Sequence, residues 1–163
     1  YQGDMTEDEL DTFVDEHLTY THTPNTDTVV EEINNLSQLL VEDESIKLII
    51  VDGATGQFRE EYLGRGTLAS RQQNLAKFLG IMKNSAYFFN VAFLMTNQVG
   101  TDPAKQFGDP TYAVGGNIVG HASTYRLYFK KAGKKRYATA IDSPKQAVFD
   151  AEFLLTDKGI DNP

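Results

Sequence analysis

Residues 46–52 read Ile46-Lys47-Leu48-Ile49-Ile50-Val51-Asp52, a nearly continuous β-branched run that ends in an acid. A run of this kind is typical of a central strand in a parallel sheet, where both faces are buried. A second run, Val91-Ala92-Phe93-Leu94-Met95-Thr96, follows after one helical segment. Two apolar strands joined through a helix indicate an α/β fold with a mainly parallel central sheet flanked by helices.

Helical periodicity predicts three helices around these strands: one from Met5 to His17, one beginning near Thr26, and one over residues 67–87. Thr6 followed by Glu9 resembles a capping box at the first helix. Each helix carries an apolar face that we expect to be buried. These faces comprise Leu10, Phe13, Val14 and Leu18; Val29, Val30, Ile33, Leu36 and Leu40; and Leu68, Leu75, Phe78, Leu79 and Met82.

Shorter signals complete the predicted order. Alternation rich in threonine predicts a strand over residues 17–22. Glycine punctuation predicts loops over residues 53–66 and 100–120. Strands are expected over residues 121–129, 137–142 and 148–155, which add an antiparallel C-terminal extension to the parallel sheet. We find no linker, so residues 1–163 are expected to form one domain.

Charge is strongly segregated along the chain. Residues 1–46 contain thirteen Asp or Glu and no Lys or Arg, whereas residues 47–163 carry a net charge of +5. The overall charge of −8 argues against nucleic acid, but a local basic surface is what binds phosphate. The acidic segment is equally explained as a solvated face.

Several classes of protein are excluded by composition. The 163-residue chain contains no cysteine, which excludes disulfides and thiolate metal sites and fits a reducing cytoplasm. No apolar run approaches the ~18 residues that suggest a membrane span, so we expect no membrane partner. No GxxxxGK loop followed by Ser or Thr occurs in the chain, and Gly115-Gly116-Asn117 lacks the lysine and hydroxyl needed to replace it.

Two strand ends carry polar residues suited to a phosphate site. Asp52 ends the first strand, where such an acid holds the water shell of magnesium in nucleoside triphosphatases. Its alternative role is that of a turn or capping residue. Thr96-Asn97-Gln98-Val99 ends the second strand, where Gln98 is positioned to orient water or contact a terminal phosphate. The alternative is a polar cluster that begins a loop.

Two basic segments are candidate phosphate binders. Residues 58–73, Phe58 to Gln73, hold three arginines around Gly64-Arg65-Gly66, and guanidinium groups match phosphate oxygens. Residues 130–136 hold five cations, Lys130, Lys131, Lys134, Lys135 and Arg136, around Gly133. The first segment is also explained as an ordinary solvated loop, and the second as an edge hairpin kept soluble by lysines.

Taken together, four stretches resemble one family closely. They are FREEYLGRGTLASRQQ at 58–73, TNQV at 96–99, FGDPTYAVGGNIVGHASTYRLYFKK at 107–131, and Asp142-Ser143-Pro144, with the Leu48–Asp52 strand before them. In this order they resemble the RadA branch of the RecA-type recombinases. The likeness covers roughly residues 26–160, whereas residues 1–25 match poorly. It implies part of a RecA-like ATPase core from a cytoplasmic, prokaryotic and archaeal-type protein.

The resemblance also implies partners, cofactors and residue roles. The family forms homo-oligomeric filaments on single-stranded DNA, pairs it with double-stranded DNA, and holds ATP with Mg²⁺ between subunits. Under that resemblance Asp52 is the magnesium-associated acid and Gln98 couples the terminal phosphate to DNA. The expected DNA-binding residues are Arg59, Tyr62, Arg65, Arg71, Phe107, Gly115, Gly116 and Asn117, besides the five cations at 130–136. His121, Asp142 and Pro144 are expected to contact the neighbouring subunit's nucleotide, with Asp142 holding a monovalent cation such as K⁺.

Three functions remain open from the sequence. The first is a DNA-dependent ATPase that exchanges strands when complete, with this chain inactive by itself because it lacks the phosphate loop. The second is a non-catalytic paralogue or fragment that acts as a DNA-binding or partner-binding module. The third is a helicase with the same fold, but the Gly64-Arg65-Gly66 and Gly115-Gly116-Asn117 loops argue against a helicase. For Asp142-Ser143-Pro144 the alternative is a structural turn.

Overall fold

The computed structural model describes residues 6–61, 68–108, 110–145, 147–157 and 159–163, with side chains undescribed at 59–61 and 68. The helices within these ranges are α1 (Glu7–His17), α2 (Thr26–Glu42), α3 (Gly56–Glu61), α4 (Leu68–Phe89) and α5 (Asn117–Ala122). The strands are β1 (Leu48–Val51), β2 (Ala92–Met95), β3 (Val99–Thr101), β4 (Thr111–Ala113), β5 (Arg126–Ala132), β6 (Lys135–Asp142), β7 (Asp150–Thr156) and β8 (Gly159–Asp161).

The strands combine parallel and antiparallel pairing. β1 and β2 pair in parallel, with Leu48 opposite Ala92 and Val51 opposite Met95. β5, β6, β7 and β8 form an antiparallel sheet in chain order, and β3 pairs with β4 as a separate hairpin. The expected α/β fold with an antiparallel C-terminal extension is thereby confirmed.

The core lies between helices α2 and α4 and one face of the β1–β2 pair. Ile33, Leu36 and Leu40 of α2 are buried at the helical spacing that the sequence predicts. Their partners are Leu75, Phe78, Leu79 and Met82 of α4, Phe58 of α3 and Val91 just before β2. The rings of Phe58 and Phe78 pack with centroids 5.7 Å apart. The predicted inward faces of the second and third helices are therefore confirmed for these residues.

The prediction that the first apolar strand is buried on both faces is wrong for the described residues. Side chains along β1 and β2 alternate between half-buried and exposed. Leu48, Ile50 and Leu94 are each more than half exposed, while Ile49 and Phe93 pack against the core. Helices therefore cover one face of this pair in the described part of the chain.

Helix α1 confirms one prediction and contradicts another. Its capping box is present: the Thr6 backbone N–H and hydroxyl donate to the Glu9 carboxylate at 2.8 and 2.9 Å. Its apolar stripe, predicted to be buried, is exposed, since every residue of the helix is exposed. Local hydrogen bonds thus form this helix without core packing.

Boundaries differ from prediction in three places. His17 ends α1, with its ring stacked on Phe13 at 4.3 Å, and residues 18–24 pair with no described strand, so the strand at 17–22 is wrong. The loop at 53–66 contains α3, and the loop at 100–120 contains the β3–β4 hairpin and the start of α5. The strand expected from His121 begins at Arg126 because α5 occupies the preceding residues.

Within the part of the chain described, no helix is long and apolar enough to cross a membrane.

Candidate functional site

Asp52 and Thr96 lie side by side at the carboxyl ends of β1 and β2. Val51 and Met95 are partners in the parallel register, so the next residue of each strand falls at the same edge. The Thr96 hydroxyl donates to the Asp52 carboxylate, and the same hydroxyl accepts from the Gly53 N–H at 2.8 Å. Asp52 itself is exposed, which leaves its carboxylate accessible to a hydrated cation.

Thr96 is a functional candidate that motif analysis missed. The Thr96–Val99 motif predicts a phosphate contact for Gln98, whereas Thr96 is the residue that bonds the Asp52 carboxylate. A usable signal is present in the sequence, because Asp52 and Thr96 each follow a strand-forming apolar run. If two such strands are parallel neighbours, these residues become adjacent across the strand pair.

Gln98 lies at the base of the β3–β4 hairpin. Its backbone carbonyl accepts from the Val114 N–H at 3.0 Å, which closes the hairpin just before β3 begins. Val99 pairs with Ala113, Gly100 with Tyr112, and Thr101 with Thr111. Gln98 is exposed and two residues from Thr96, so it connects the acid-bearing strand end to the hairpin.

The hairpin projects exposed side chains at its tip. Residues 101–108 are all exposed, and Phe107 is 87% exposed. Where the strands end next to this tip, the Thr111 hydroxyl lies 3.1 Å from the Tyr128 hydroxyl of β5. The hairpin therefore has a base closed by the Gln98–Val114 bond, a contact to β5 next to its tip, and an aromatic, solvent-facing tip.

A glycine turn connects the hairpin to α5. Gly115 and Gly116 have φ of +90° and +64°, values that glycine adopts with little steric cost. The Gly116 N–H donates to the Ala113 carbonyl at 3.1 Å, and Asn117 begins α5. A Cβ on Gly115 would lie 2.5 Å from Val119 Cγ2, so the turn is also tightly packed.

The remaining predicted DNA and nucleotide residues are spread over several elements. Arg71 is half-buried near the start of α4, and His121 is exposed in α5. Arg59 lies in α3 with an undescribed side chain, whereas Tyr62 and Arg65 fall outside the described residues. Phe107 lies at the tip of the β3–β4 hairpin, and Gly115 lies just beyond its base.

Asp142 is paired within its own chain. Arg126 Nη2 and Nε lie 3.1 and 3.2 Å from Asp142 Oδ2, joining the first residue of β5 to the last of β6. Both side chains are more than a third exposed, so solvent screens this pair. Pro144 follows in an exposed turn, where the Lys145 N–H donates to Ser143 Oγ at 3.4 Å.

The five cations of the β5–β6 hairpin do not share one face. Cross-strand partners point to the same side of a sheet, so Lys131 and Arg136 share one face. Lys130 lies on the other face, with its ammonium 5.8 Å from the Tyr137 ring centroid. Lys134 occupies the exposed turn. The basic segment therefore presents charge in several directions.

Lys135 is committed to an internal ion pair. Its ammonium lies 2.7 Å from the Glu152 carboxylate of β7. The hydrogen bond to Glu152, with its negative charge, raises the pKa of Lys135 above the ordinary lysine value. Lys130, Lys131 and Lys134 are therefore better placed than Lys135 to meet an external phosphate.

A groove of about 200 Å³ lies elsewhere, between α2 and α4. Its lining includes Val30, Asn74 and Lys77, and none of the predicted site residues belongs to it. We therefore place the candidate site at the β1–β2 strand ends and the adjoining β3–β4 hairpin, where Asp52, Thr96 and Gln98 lie.

Known proteins match the chain over most of its length. A family model described as Rad51 matches residues 7–163. The chain belongs to the Rad51 family. The predicted resemblance to RadA-type recombinases is thereby confirmed.

Curated relatives give the same result. The DNA repair and recombination protein RadA of Cenarchaeum symbiosum is 55% identical over 121 residues, which cover 74% of this chain and 30% of the relative. RadA of Methanococcus voltae is 42% identical over 137 residues, which cover 83% of this chain and 42% of the relative. RadA of Ignicoccus hospitalis is 46% identical over 136 residues, which cover 83% of this chain and 40% of the relative. This Rad51-family chain therefore spans 30 to 42% of the length of these relatives.

Proposed function

We propose that this chain supplies the acid-bearing strand end and a DNA-contacting hairpin of a recombinase that assembles on single-stranded DNA and exchanges strands in repair. One observation carries the proposal: the β3–β4 hairpin rises directly from the strand end that bears Thr96 and faces Asp52. A change at a nucleotide near Asp52 would thus reach a DNA-binding hairpin through two residues, Asn97 and Gln98. The relatives' names, which describe DNA repair and recombination, support the same function.

On the nucleotide side, Asp52 would hold Mg²⁺ through water while Gln98 contacts the terminal phosphate of ATP. The exposed carboxylate, already oriented by Thr96, suits an oxygen ligand for a hydrated cation. The bound ATP would supply the phosphates and the energy of turnover. This chain's residues orient the ion and carry the change to the hairpin.

On the subunit side, His121, Asp142 and Pro144 would meet the nucleotide of the neighbouring subunit. Asp142 Oδ2 already accepts two bonds from Arg126. A potassium ion at Asp142 would therefore have to share the carboxylate with Arg126 or use the other oxygen. Arg126 would tune the affinity of Asp142 for that cation.

On the DNA side, we propose that Phe107 and the exposed cations Lys131 and Lys134 contact the strand, together with Arg59, Tyr62, Arg65 and Arg71. Phosphate contacts by cations are insensitive to base sequence and depend steeply on salt. Log K falls as log salt rises, and each lost phosphate contact reduces the steepness of that fall by about 0.9 in duplex DNA and about 0.7 in single strands.

The test is fluorescence anisotropy of labelled oligo(dT) and a mixed-sequence oligonucleotide, titrated with the chain at several salt concentrations. We expect Lys131→Glu and Lys134→Glu to weaken binding to both oligonucleotides alike and to flatten the salt slope. Lys83→Glu, on the exposed face of α4, changes net charge equally and is the matched control. Equal losses of affinity in all three variants would show that the net charge of the chain, and not the β5–β6 hairpin, attracts the DNA.

A DNA-binding module without catalysis is the second candidate. It is favoured by the absence of a GxxxxGK loop from these 163 residues, because that loop supplies the main phosphate contacts. Under this alternative the same hairpins bind DNA, and ATP has no effect on the measured affinity. Titration with and without ATP and Mg²⁺ separates the two functions.

A further inference from the structure

The two residues that follow β2 connect it in opposite directions. Thr96 bonds Asp52 and Gly53, as described above. Asn97 instead joins the loop after β1 to the far side of the β3–β4 hairpin. The Thr55 hydroxyl donates to Asn97 Oδ1 at 2.5 Å, and Asn97 Nδ2 donates to the Val114 carbonyl at 2.7 Å.

The orientation of the Asn97 amide follows from its partners. A backbone carbonyl only accepts, so the amide nitrogen must face Val114 and the amide oxygen must face Thr55. Both ends of this half-buried side chain are therefore used, and neither bond can be replaced by rotating the amide. An asparagine in this position bridges segments 42 and 17 positions away in the chain.

Thr55 is a rigid point of attachment for this bridge. It is 4% exposed and lies beside the glycine turn: a Cβ placed on Gly115 would fall 3.2 Å from Thr55 Cγ2 and 3.3 Å from Leu75 Cδ2. Close-packed surroundings of this kind hold a hydroxyl in one position. Val114, the residue that Asn97 holds, immediately precedes the same turn.

The β3–β4 hairpin has short strands that are held at both ends. Three residue pairs join its strands, and residues 101–108 are exposed. Besides the Asn97 bridge, the Val114 N–H bond to Gln98 holds its base, and Thr111 contacts Tyr128 at the tip end of the strands. The Asn97 bond to Val114 therefore fixes the base end of the hairpin.

We propose that Asn97 is a positioning residue for DNA binding: through Thr55 and Val114 it fixes the hairpin to the loop that follows the acid-bearing strand. The DNA part of this inference rests on the proposed function. Thr96 and Asn97 together then link the Asp52 carboxylate and the hairpin base through neighbouring side chains of one strand end.

Three substitutions dissect the bridge in the full chain. Thr55→Val keeps the shape and the Cγ2 methyl but removes the donor to Asn97. Asn97→Asp keeps an acceptor for Thr55 but replaces the Val114 donor by a second oxygen. Thr55→Ser keeps the hydroxyl donor and is the conservative variant. Thr12→Val is the matched control, since it removes a 2.9 Å hydroxyl bond within α1.

The primary readout is native-state hydrogen exchange of single amides. Val114, Gly116 and Asp102 report the hairpin and its turn, and Ala92, bonded to Lys47, reports the sheet core. Leaving a buried polar group unpaired costs about 1–3 kcal/mol, so Thr55→Val and Asn97→Asp should raise hairpin exchange roughly 5- to 150-fold relative to Ala92. Thr55→Ser and Thr12→Val should leave the hairpin exchange rates as they are in the unsubstituted chain.

Binding to oligo(dT) is the second readout, with affinity expected to fall about threefold to tenfold in the two disrupting variants. Unchanged hairpin exchange in both would overturn the proposal, as would equal increases at Val114 and Ala92, which would mean that the pair supports the whole fold. If the unsubstituted chain fails to bind oligo(dT), the proposed function is wrong, whereas the exchange rates still decide whether Asn97 positions the hairpin.

Discussion

Phe58 and Phe88 carry the same side chain in opposite environments. Phe58 is 1% exposed and packs on Phe78, whereas Phe88 is 74% exposed near the end of α4. Burial decides how much stability is lost on truncation to alanine. Removing a buried ring leaves a cavity, whereas water takes the place of an exposed ring.

We therefore expect Phe58→Ala to lower the free energy of unfolding by about 3–5 kcal/mol. Phe88→Ala, its matched control, should change it by less than about 0.5 kcal/mol. Urea denaturation followed by circular dichroism measures both. Similar losses in the two variants would mean that the ring of Phe88 is buried in solution, contrary to the structure.

The site residues show how a side chain's partner changes its availability. Lys135 belongs to the basic segment, yet Glu152 holds its ammonium at 2.7 Å. Asp142 is expected to contact the neighbouring subunit's nucleotide, yet one of its carboxylate oxygens already accepts from Arg126. Residue identity alone did not reveal these pairings, because both partners come from other strands.

Among the elements, α1 is formed almost entirely by local interactions. The Thr6 backbone N–H, and then its hydroxyl, bond the Glu9 carboxylate and lower the pKa of Glu9. A carboxyl whose pKa is lowered by folding stabilises the folded form above its ordinary pKa of about 4.3. That stabilisation is lost as pH falls through the lowered pKa.

We accordingly expect the first turn of α1 to fray on acidification from pH 7 to below the pKa of Glu9, while the core stays folded. The Glu9 and Leu10 amide resonances should shift toward random-coil values with this titration. Glu9→Gln keeps a neutral acceptor and should remove the pH dependence of these shifts. An identical titration in Glu9→Gln would assign the effect to another carboxyl.

The β3–β4 hairpin is the element that most changes the interpretation of the sequence. Residues 100–120 have the glycine and proline content of a loop, but cross-strand pairing and the Asn97 bridge give the segment a defined base. Those contacts connect residues distant in sequence, which glycine content does not report.

Across the whole molecule, charge and covered length bear on activity. The acidic residues 1–46 include the exposed helix α1, whereas the cations lie in residues 47–163. The chain spans 30 to 42% of its curated relatives, and these 163 residues lack a GxxxxGK loop. We therefore expect the DNA binding proposed above to be measurable in this chain without ATP turnover.

We expect the isolated chain to show no ATP hydrolysis above buffer, with or without oligo(dT), because the backbone cradle and lysine for the phosphates are missing from its sequence. A phosphate-release assay tests this, with Asp52→Ala as the control. Hydrolysis that Asp52→Ala abolishes would overturn the expectation and would place an active phosphate site in these residues.

By itself, the sequence determined the α/β class, the α2 and α4 core faces, the α1 capping box and the family. Helical period, capping chemistry and motif order are all expressed within short stretches, so neighbouring residues suffice to reveal them. Tertiary structure decided that Thr96 bonds Asp52, that Asn97 bridges Thr55 and Val114, and that α1 and one face of β1–β2 are exposed. These features depend on strand register and on which surfaces meet, and such long-range geometry is not written in local periodicity.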